Sequence, residues 1–481
     1  MNHKFKWVWP LLAAALLAAL FIGIQSHADV PEPASAVMSM KASEPSLPPA
    51  SSFAKPYQQA VGKLLSSGNY RMHITATRKL ELDGQTIIIT SEQSSSCKNR
   101  GQKDMMLSMM ENRKIGSHQV TLTEMYKDGT AYLSLNNSFF SCMMQPKDYI
   151  SRMMPLQMLD PDLYDSIKVR ANGTMKKVGF YQPKGAEGWA SQYTDQITLG
   201  YGTALLDSDG TLVQSNYFMQ GTLNGHKCEL NVEVRYEPVI DQDLTLMKIP
   251  TDCTPVQNLN VPLQLEMATG YLVGVDHLSS RIESSIDSQA GNLVRSQVTE
   301  LSIHDLQGNL DATISADVEL TDHNQAGTTT KYSQVETFHN GKYHLDVTQG
   351  SSSNPSDPDI SEEIMKKYCK DTLVGSIILP GFIEDVEIIQ QEDAYLLTFP
   401  ASEKLASVLS AEACKILYQD PNVLSSVSTS YETTLIQGLL RIDKSSGLPL
   451  GAGLSYAGSH TIEGTTYSLS YEISQTYKFG E

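Results

Sequence analysis

Six cysteines are the most reactive side chains in this 481-residue chain: Cys97, Cys142, Cys228, Cys253, Cys369 and Cys414. None sits in a CxxC pair or in the Cys/His spacing of a zinc site, so the sequence predicts neither a thiol redox motif nor a bound metal. An even count in an exported chain points to disulfides. Cys369 and Cys414 are the two cysteines of the second half and are expected to pair. Cys97–Cys142 and Cys228–Cys253 are expectations of the same kind.

The other residues with chemical potential are scattered. His339 and His344 lie five apart around a hairpin turn, which does not place them on one face of a strand. Asp357, Asp359, Glu362 and Glu363 crowd a helix start, where carboxylates favour the exposed N–H groups. Asp207 and Asp209 belong to a turn. There is no GxSxG elbow, HExxH helix, phosphate loop or calcium loop. No catalytic residue and no cofactor is predicted, and the chain is read as a non-enzyme.

Methionine is the exception. Met105, Met106, Met109, Met110, Met143 and Met144 crowd one region. On an extended segment over 103–110, Met105, Leu107 and Met109 share a face. Polarisable, flexible methionines suit a surface that accepts apolar ligands. These three are the candidate lining of an apolar site, against ordinary core packing and, more remotely, a thioether metal site.

The elements that position these residues are mostly strands. From Leu448 onward apolar and polar residues alternate, and they alternate again over 467–477. Such a pattern buries one face of a sheet and wets the other. Strands over 431–442, 448–456 and 466–477 form an antiparallel meander. The same unit occurs earlier, over 197–206, 211–220 and 226–236, where Cys228, Leu230, Val232, Val234 and Tyr236 share a face. A second echo links Glu124–Tyr132 with Glu336–His344. Two echoes in the same order predict an internal duplication of a 200-residue unit, the alternative being that any two meanders look alike.

The first 28 residues read as a targeting segment: Lys4 and Lys6, an apolar stretch over 7–24, and small residues at Ser26 and Ala28. The apolar stretch approaches the roughly 18 residues that span a bilayer, so both a cleaved signal peptide and a retained N-terminal membrane anchor fit. Residues 29–54 are rich in Pro, Ser and Ala and read as a linker. A net charge of −18 argues against nucleic acid and anionic membranes as partners. The two units are expected at 55–255 and 260–481. A short helix opens the first at 56–65. In the second, 272–286 reads as a strand after a linker at 254–262, with no clear opening helix. Helices are expected near 148–154, 359–370 and 402–418.

A short first helix over 56–70, helices in mid-chain, and a terminal meander over 443–456 and 463–477 with an Asp-Lys-x-x-Gly turn together resemble the periplasmic lipoprotein-carrier (LolA-like) superfamily of exported envelope proteins. The resemblance implies an α+β, predominantly antiparallel fold of two tandem unclosed β-barrel units with short helices on the concave side. It also implies a carrier of lipid or of lipoprotein acyl chains in a concave sheet, with no catalytic residues. The alternative is a cell-surface sensor or protein-interaction module without a ligand cavity, whose partner is another envelope protein.

Overall fold

The computed structural model describes residues 55–481 apart from 83, 137, 151–157, 161–162, 184–193, 224, 238–247, 250, 290–292, 324–326, 375–386, 392, 401–426, 429–432, 444–445, 463–464 and 481. The targeting segment, the linker and the helix expected at 402–418 lie outside the described residues. Among the described residues no helix is long and apolar enough to cross a membrane.

Alternation produces strands throughout. Eleven long or medium strands follow the first helix, α1 (Lys55–Ser67): β1 (Tyr70–Leu82), β2 (Gln85–Lys98), β3 (Met106–Ile115), β4 (His118–Lys127), β5 (Thr130–Leu135), β6 (Ser138–Met143), then, after α2 (Pro146–Ile150), β7 (Tyr164–Asn172), β8 (Met175–Pro183), β9 (Gln196–Leu206), β10 (Leu212–Leu223) and β11 (His226–Glu237). The short β12 (Thr254–Pro255) completes a 12-stranded sheet in the order β12-β6-β5-β4-β3-β2-β1-β11-β10-β9-β8-β7. Only β12 runs parallel to its neighbour, β6.

The rest of the chain repeats the plan. Helix α3 (Asn260–Gly274) precedes β13 (Leu278–Ser288), β14 (Leu293–His304), β15 (Asp311–Asp322), β16 (Thr328–His339), β17 (Lys342–Gln349) and β18 (Ser352–Ser356). Helix α4 (Glu362–Val374) leads to β19 (Glu387–Gln390), β20 (Ala394–Pro400), β21 (Val427–Ser428), β22 (Thr433–Asp443), β23 (Pro449–Ile462) and β24 (Thr465–Phe479). Their order is β18-β17-β16-β15-β14-β13-β24-β23-β22-β20-β19, with β21 against β23. Without β12 and β21, the two open sheets have one strand order. Register agrees as well. Laying Glu124 of β4 on Glu336 of β16 carries Tyr236 onto Tyr477 and Gly221 onto Gly458 through unbroken pairing.

The second unit does open with a helix, contrary to the sequence reading. Residues 272–274 belong to α3, and the strand starts only at Leu278. The cause is packing: α3 is buried on several sides, including Val261, Leu265, Ala268, Tyr271 and Leu272, so it lacks the polar face that marks a surface helix. It lies between the two sheets. Gly274 O accepts from Ser117 N of the β3–β4 turn at 3.2 Å. A methyl carbon on Gly116 would lie 1.8 Å from that carbonyl oxygen, so the approach needs glycine.

Other bonds cross the joint. Glu266 Oε1 accepts from Asn136 Nδ2 at 2.7 Å and lies 2.9 Å from His118 Nε2. Arg78 Nη1 donates to Ser446 O at 3.2 Å. One apolar cluster runs through it, joining Leu80, Ile87, Ile115 and Leu223 of the first sheet to α3 and the second sheet. The first sheet's other end keeps its own core beneath α1.

Candidate functional site

Each sheet has one face that carries the buried residues and meets the helices. Leu107 is 1% exposed on that face of the first sheet, and Met105 is fully buried in the β2–β3 turn just before β3 begins. Met109 is partly buried against the same core. The three candidate residues are therefore brought together, as members of a packed apolar cluster with Tyr70, Cys97 and Tyr126.

The disulfide expectation needs correction. Cys97, Cys142, Cys228, Cys253 and Cys369 carry thiols, and Cys414 lies outside the described residues. Strand order gives the reason. Cys97 on β2 and Cys142 on β6 are four strands apart, roughly 19 Å across the sheet at ~4.8 Å per strand. Cys253 precedes β12 at the sheet edge, seven places from Cys228 on β11. A disulfide needs Cα atoms within ~7 Å. Burial pushes the Cys97 thiol up to about 11. Burial, and then the charge of Glu336, push Cys369 up to about 12.

Sequence reasoning missed the buried carboxylates. Glu124 is 4% exposed and Glu336 is 2% exposed, at matching positions on the helix-side face of β4 and β16. Tyr149 of α2 donates to Glu124 Oε2 at 2.9 Å while stacking on Tyr126, with ring centroids 5.0 Å apart. In the second unit the donor is Tyr343 of β17, 2.8 Å from Glu336 Oε2, and Gln334 Nε2 donates to the other oxygen. An ionised carboxylate buried without such donors would cost far more than the roughly 2–7 kcal/mol of an unpaired buried amide or hydroxyl. Desolvation still dominates at Glu336 and raises its pKa, against the lowering effect of the bonds from Tyr343 and Gln334. A signal was present in the sequence: both glutamates lie in the echoed segments, in phase with the inward-facing residues.

The second sheet's inner face is divided. Leu301, Ile303, Ile314 and Phe338 join the apolar core shared with α3. Further along the same strands stand the buried polar residues Arg295, Gln297, Thr299 and Gln334. Arg295 Nη2 donates to Gln297 Oε1 at 3.1 Å, and Gln297 Nε2 donates to Thr299 Oγ1 at 2.8 Å. Burial lowers the pKa of Arg295. Tyr368 of α4 is close enough for the Glu336 charge to raise its pKa, after burial itself. Its hydroxyl is buried and has no hydrogen-bond partner among the described residues. The end of α4 is tied to the sheet by Gln475 Nε2 and Tyr477 OH, which both donate to Leu373 O.

Among the described residues no group of three or more His, Cys, Asp or Glu side chains converges on a metal position. His339 and His344 make separate contacts, with Asp311 Oδ2 at 2.9 Å and Asp357 Oδ1 at 2.7 Å. Two open grooves, of about 420 and 410 Å³, include no member of the Met105, Leu107 and Met109 set. The larger is polar, lined by residues such as Thr75, Asn231, Glu233 and Arg235.

No protein-family model matches the chain, and no curated protein matches it. Solved structures align with it only loosely. LprF from Mycobacterium bovis is 13% identical with a TM-score of 0.23, covering 39% of this chain and 93% of its own. The outer membrane protein OpdK from Pseudomonas aeruginosa is 7% identical with a TM-score of 0.11, covering 86% of this chain and 99% of its own. OccK5 (OpdH) from Pseudomonas aeruginosa gives 7% and 0.10, covering 85% and 98%. At these TM-scores the alignments carry no argument about fold family or ligand.

Proposed function

We propose that this chain is a non-enzymatic, exported envelope protein that holds a lipid, or the acyl chains of a lipoprotein, against the helix-covered face of its second sheet. The observation that carries this reading is the division of that face. An apolar half (Leu301, Ile303, Ile314, Phe338) adjoins a buried polar half (Arg295, Gln297, Thr299, Gln334, Glu336), and the Tyr368 hydroxyl there has no partner among the described residues. Ligand sites for small amphiphiles combine mostly apolar lining with a few placed polar groups. A tail would lie over the apolar half and a head group would supply the hydrogen bond that Tyr368 lacks. Export rests on the basic, apolar and small-residue pattern of residues 1–28. The common strand order of the two sheets supports duplication of an ancestral single sheet, with the first copy retaining a closed core.

The test is extraction of the purified full chain with organic solvent, followed by mass spectrometry, together with binding of a fluorescent fatty acid. The reading expects a co-purified acyl lipid and saturable probe binding that weakens at least tenfold in Thr299→Leu/Gln297→Leu. Absence of lipid together with absence of probe binding would replace it with a surface-interaction module.

A further inference from the structure

The two units stack head to tail. The end of the second unit formed by the β14–β15 and β22–β23 turns sits on the first unit through Gln307 and Ser446. The equivalent end of the first unit is formed by the β2–β3, β4–β5 and β9–β10 turns, opposite the end whose Arg78 and Ser117 bond to the second unit. Lys63 of α1 there donates to Thr211 Oγ1 of the β9–β10 turn at 2.7 Å. Tyr271 of α3 reaches Ser446 O in the docked turn at 3.1 Å. A lysine thus stands where the docked end has a tyrosine.

This free end is cationic, although the chain carries −18 overall. The β7–β8 hairpin holds Lys168, Arg170, Lys176 and Lys177, with no acidic residue between Asp165 and Glu187. Arg170 and Lys177 face each other directly across the strands, a like-charge pairing that destabilises a hairpin. Neither they nor Lys176 make an ion pair among the described residues. Lys176 pairs in register with Leu206, next to the β9–β10 turn, so the hairpin tip adjoins Lys63. Helix α1 adds Lys55 and has no acidic residue. The nearby acids are Asp160, Asp207 and Asp209, and the β2–β3 and β4–β5 turns add Lys103 and Lys127 against Asp104 and Asp128. The equivalent hairpin of the second unit, β19–β20, has the opposite sign, with Glu387 and Asp393.

A large apolar side chain stands out at the tip of this cationic hairpin: Met175, 40% exposed and next in sequence to Lys176.

We propose that the free end of the first unit, centred on Arg170, Lys176, Lys177 and Met175 of the β7–β8 hairpin, docks on the anionic headgroups of a phospholipid surface. Cations near such a surface are attracted within a Debye length, and a protruding methionine such as Met175 enters the boundary between headgroups and acyl chains. The proposal is independent of the ligand assigned to the second sheet.

The experiment uses the chain from Asp29 onward, the form that cleavage after Ala28 leaves, which contains every described residue. It is sedimented with vesicles of phosphatidylcholine alone and of phosphatidylcholine mixed with phosphatidylglycerol. Binding is expected only to the mixed vesicles, and it should fall as salt is raised. Each cation is worth roughly fivefold, so Arg170→Gln/Lys176→Gln/Lys177→Gln should weaken binding about a hundredfold with unchanged circular dichroism, while Arg170→Lys should bind like the parent. Three outcomes overturn the proposal: no vesicle binding, equal binding to neutral vesicles, or binding unchanged in the triple variant. Salt-sensitive self-association without vesicle binding would assign this end to a second copy of the chain instead.

Discussion

The Tyr343 hydroxyl holds Glu336 Oε2 at 2.8 Å on the buried face of the second sheet, and at the matching position of the first sheet Tyr149 holds Glu124. The donors come from different elements, a neighbouring strand in one unit and a short helix in the other. The same position of the two interiors thus carries a carboxylate, with its donor drawn from a different element in each unit.

Glu336→Gln should make the protein more stable at neutral pH. Burial raises the Glu336 pKa above its ordinary value of 4.5. An acid with a raised folded pKa contributes stability in full below its unfolded pKa and loses it as pH rises through the folded pKa. Every tenfold change in the ionisation equilibrium is worth about 1.4 kcal/mol. Melting temperatures measured from about pH 4 to about pH 8 should therefore diverge, with the variant ahead at the upper end. Parallel curves for the two proteins would remove this assignment.

Gly274→Ala should damage the joint between the units. A methyl carbon there would lie 2.1 Å from Ile115 O, a backbone atom that cannot rotate away. The cost should exceed the roughly 1–3 kcal/mol of ordinary overpacking. Gly341→Ala, in a turn where nothing lies within 4 Å, is the control and should cost about 1 kcal/mol for its positive φ alone. Chemical denaturation of both variants measures the difference. Equal midpoints would mean that the joint relaxes.

Glu266→Ala leaves His118 Nε2 and Asn136 Nδ2 without their acceptor. Loss of a buried acceptor costs about 1–3 kcal/mol. In a double-mutant cycle with Asn136→Ala the two losses should not add, because the pair share one bond. Additive losses would show that Glu266 acts through packing alone.

The thiols should be slow to react in the native protein. Cys97, Cys142, Cys228 and Cys369 are buried, and only Cys253 among the described cysteines is partly exposed. Thiolate is the reacting form, and burial raises the pKa at Cys97, Cys228 and Cys369. Brief alkylation followed by peptide mapping should mark Cys253 first. Early labelling of Cys97 would show that the first core opens.

Strands and turns were legible because their signals are local. The Asp-Gly and Asn-Gly dipeptides that end at Gly84, Gly129 and Gly225 are turn signals in the sequence, and these glycines carry positive φ values of 80°, 78° and 80°, as tight hairpins require. The alternating faces of β11 and β24 came through for the same reason. Helix α3 did not, because contacts from two sheets bury it on several sides and its Gly270 and Gly274 look like helix breakers until the opposing strand is in place. The exposed edge strand β18, Ser352–Ser356, was hidden by a Ser/Pro composition that reads as loop. For the candidate site, the methionine face was legible as a face, but the buried polar half of the second sheet was not. Arg295, Gln297 and Glu336 are residue types expected outside, and only pairing across strands places them inside.

The joint between the units has a direction. It presses one end of a unit against the other end of its neighbour, so the operation relating the two is head-to-tail and not a two-fold axis. Applied again, it would add a third unit beyond the second, and the series would end in a ring where the rotation closes and in an open filament where it does not. A neighbour added in the opposite sense would meet the other end of the first unit, where Lys63 contacts the turn that corresponds to the one Tyr271 contacts in the joint.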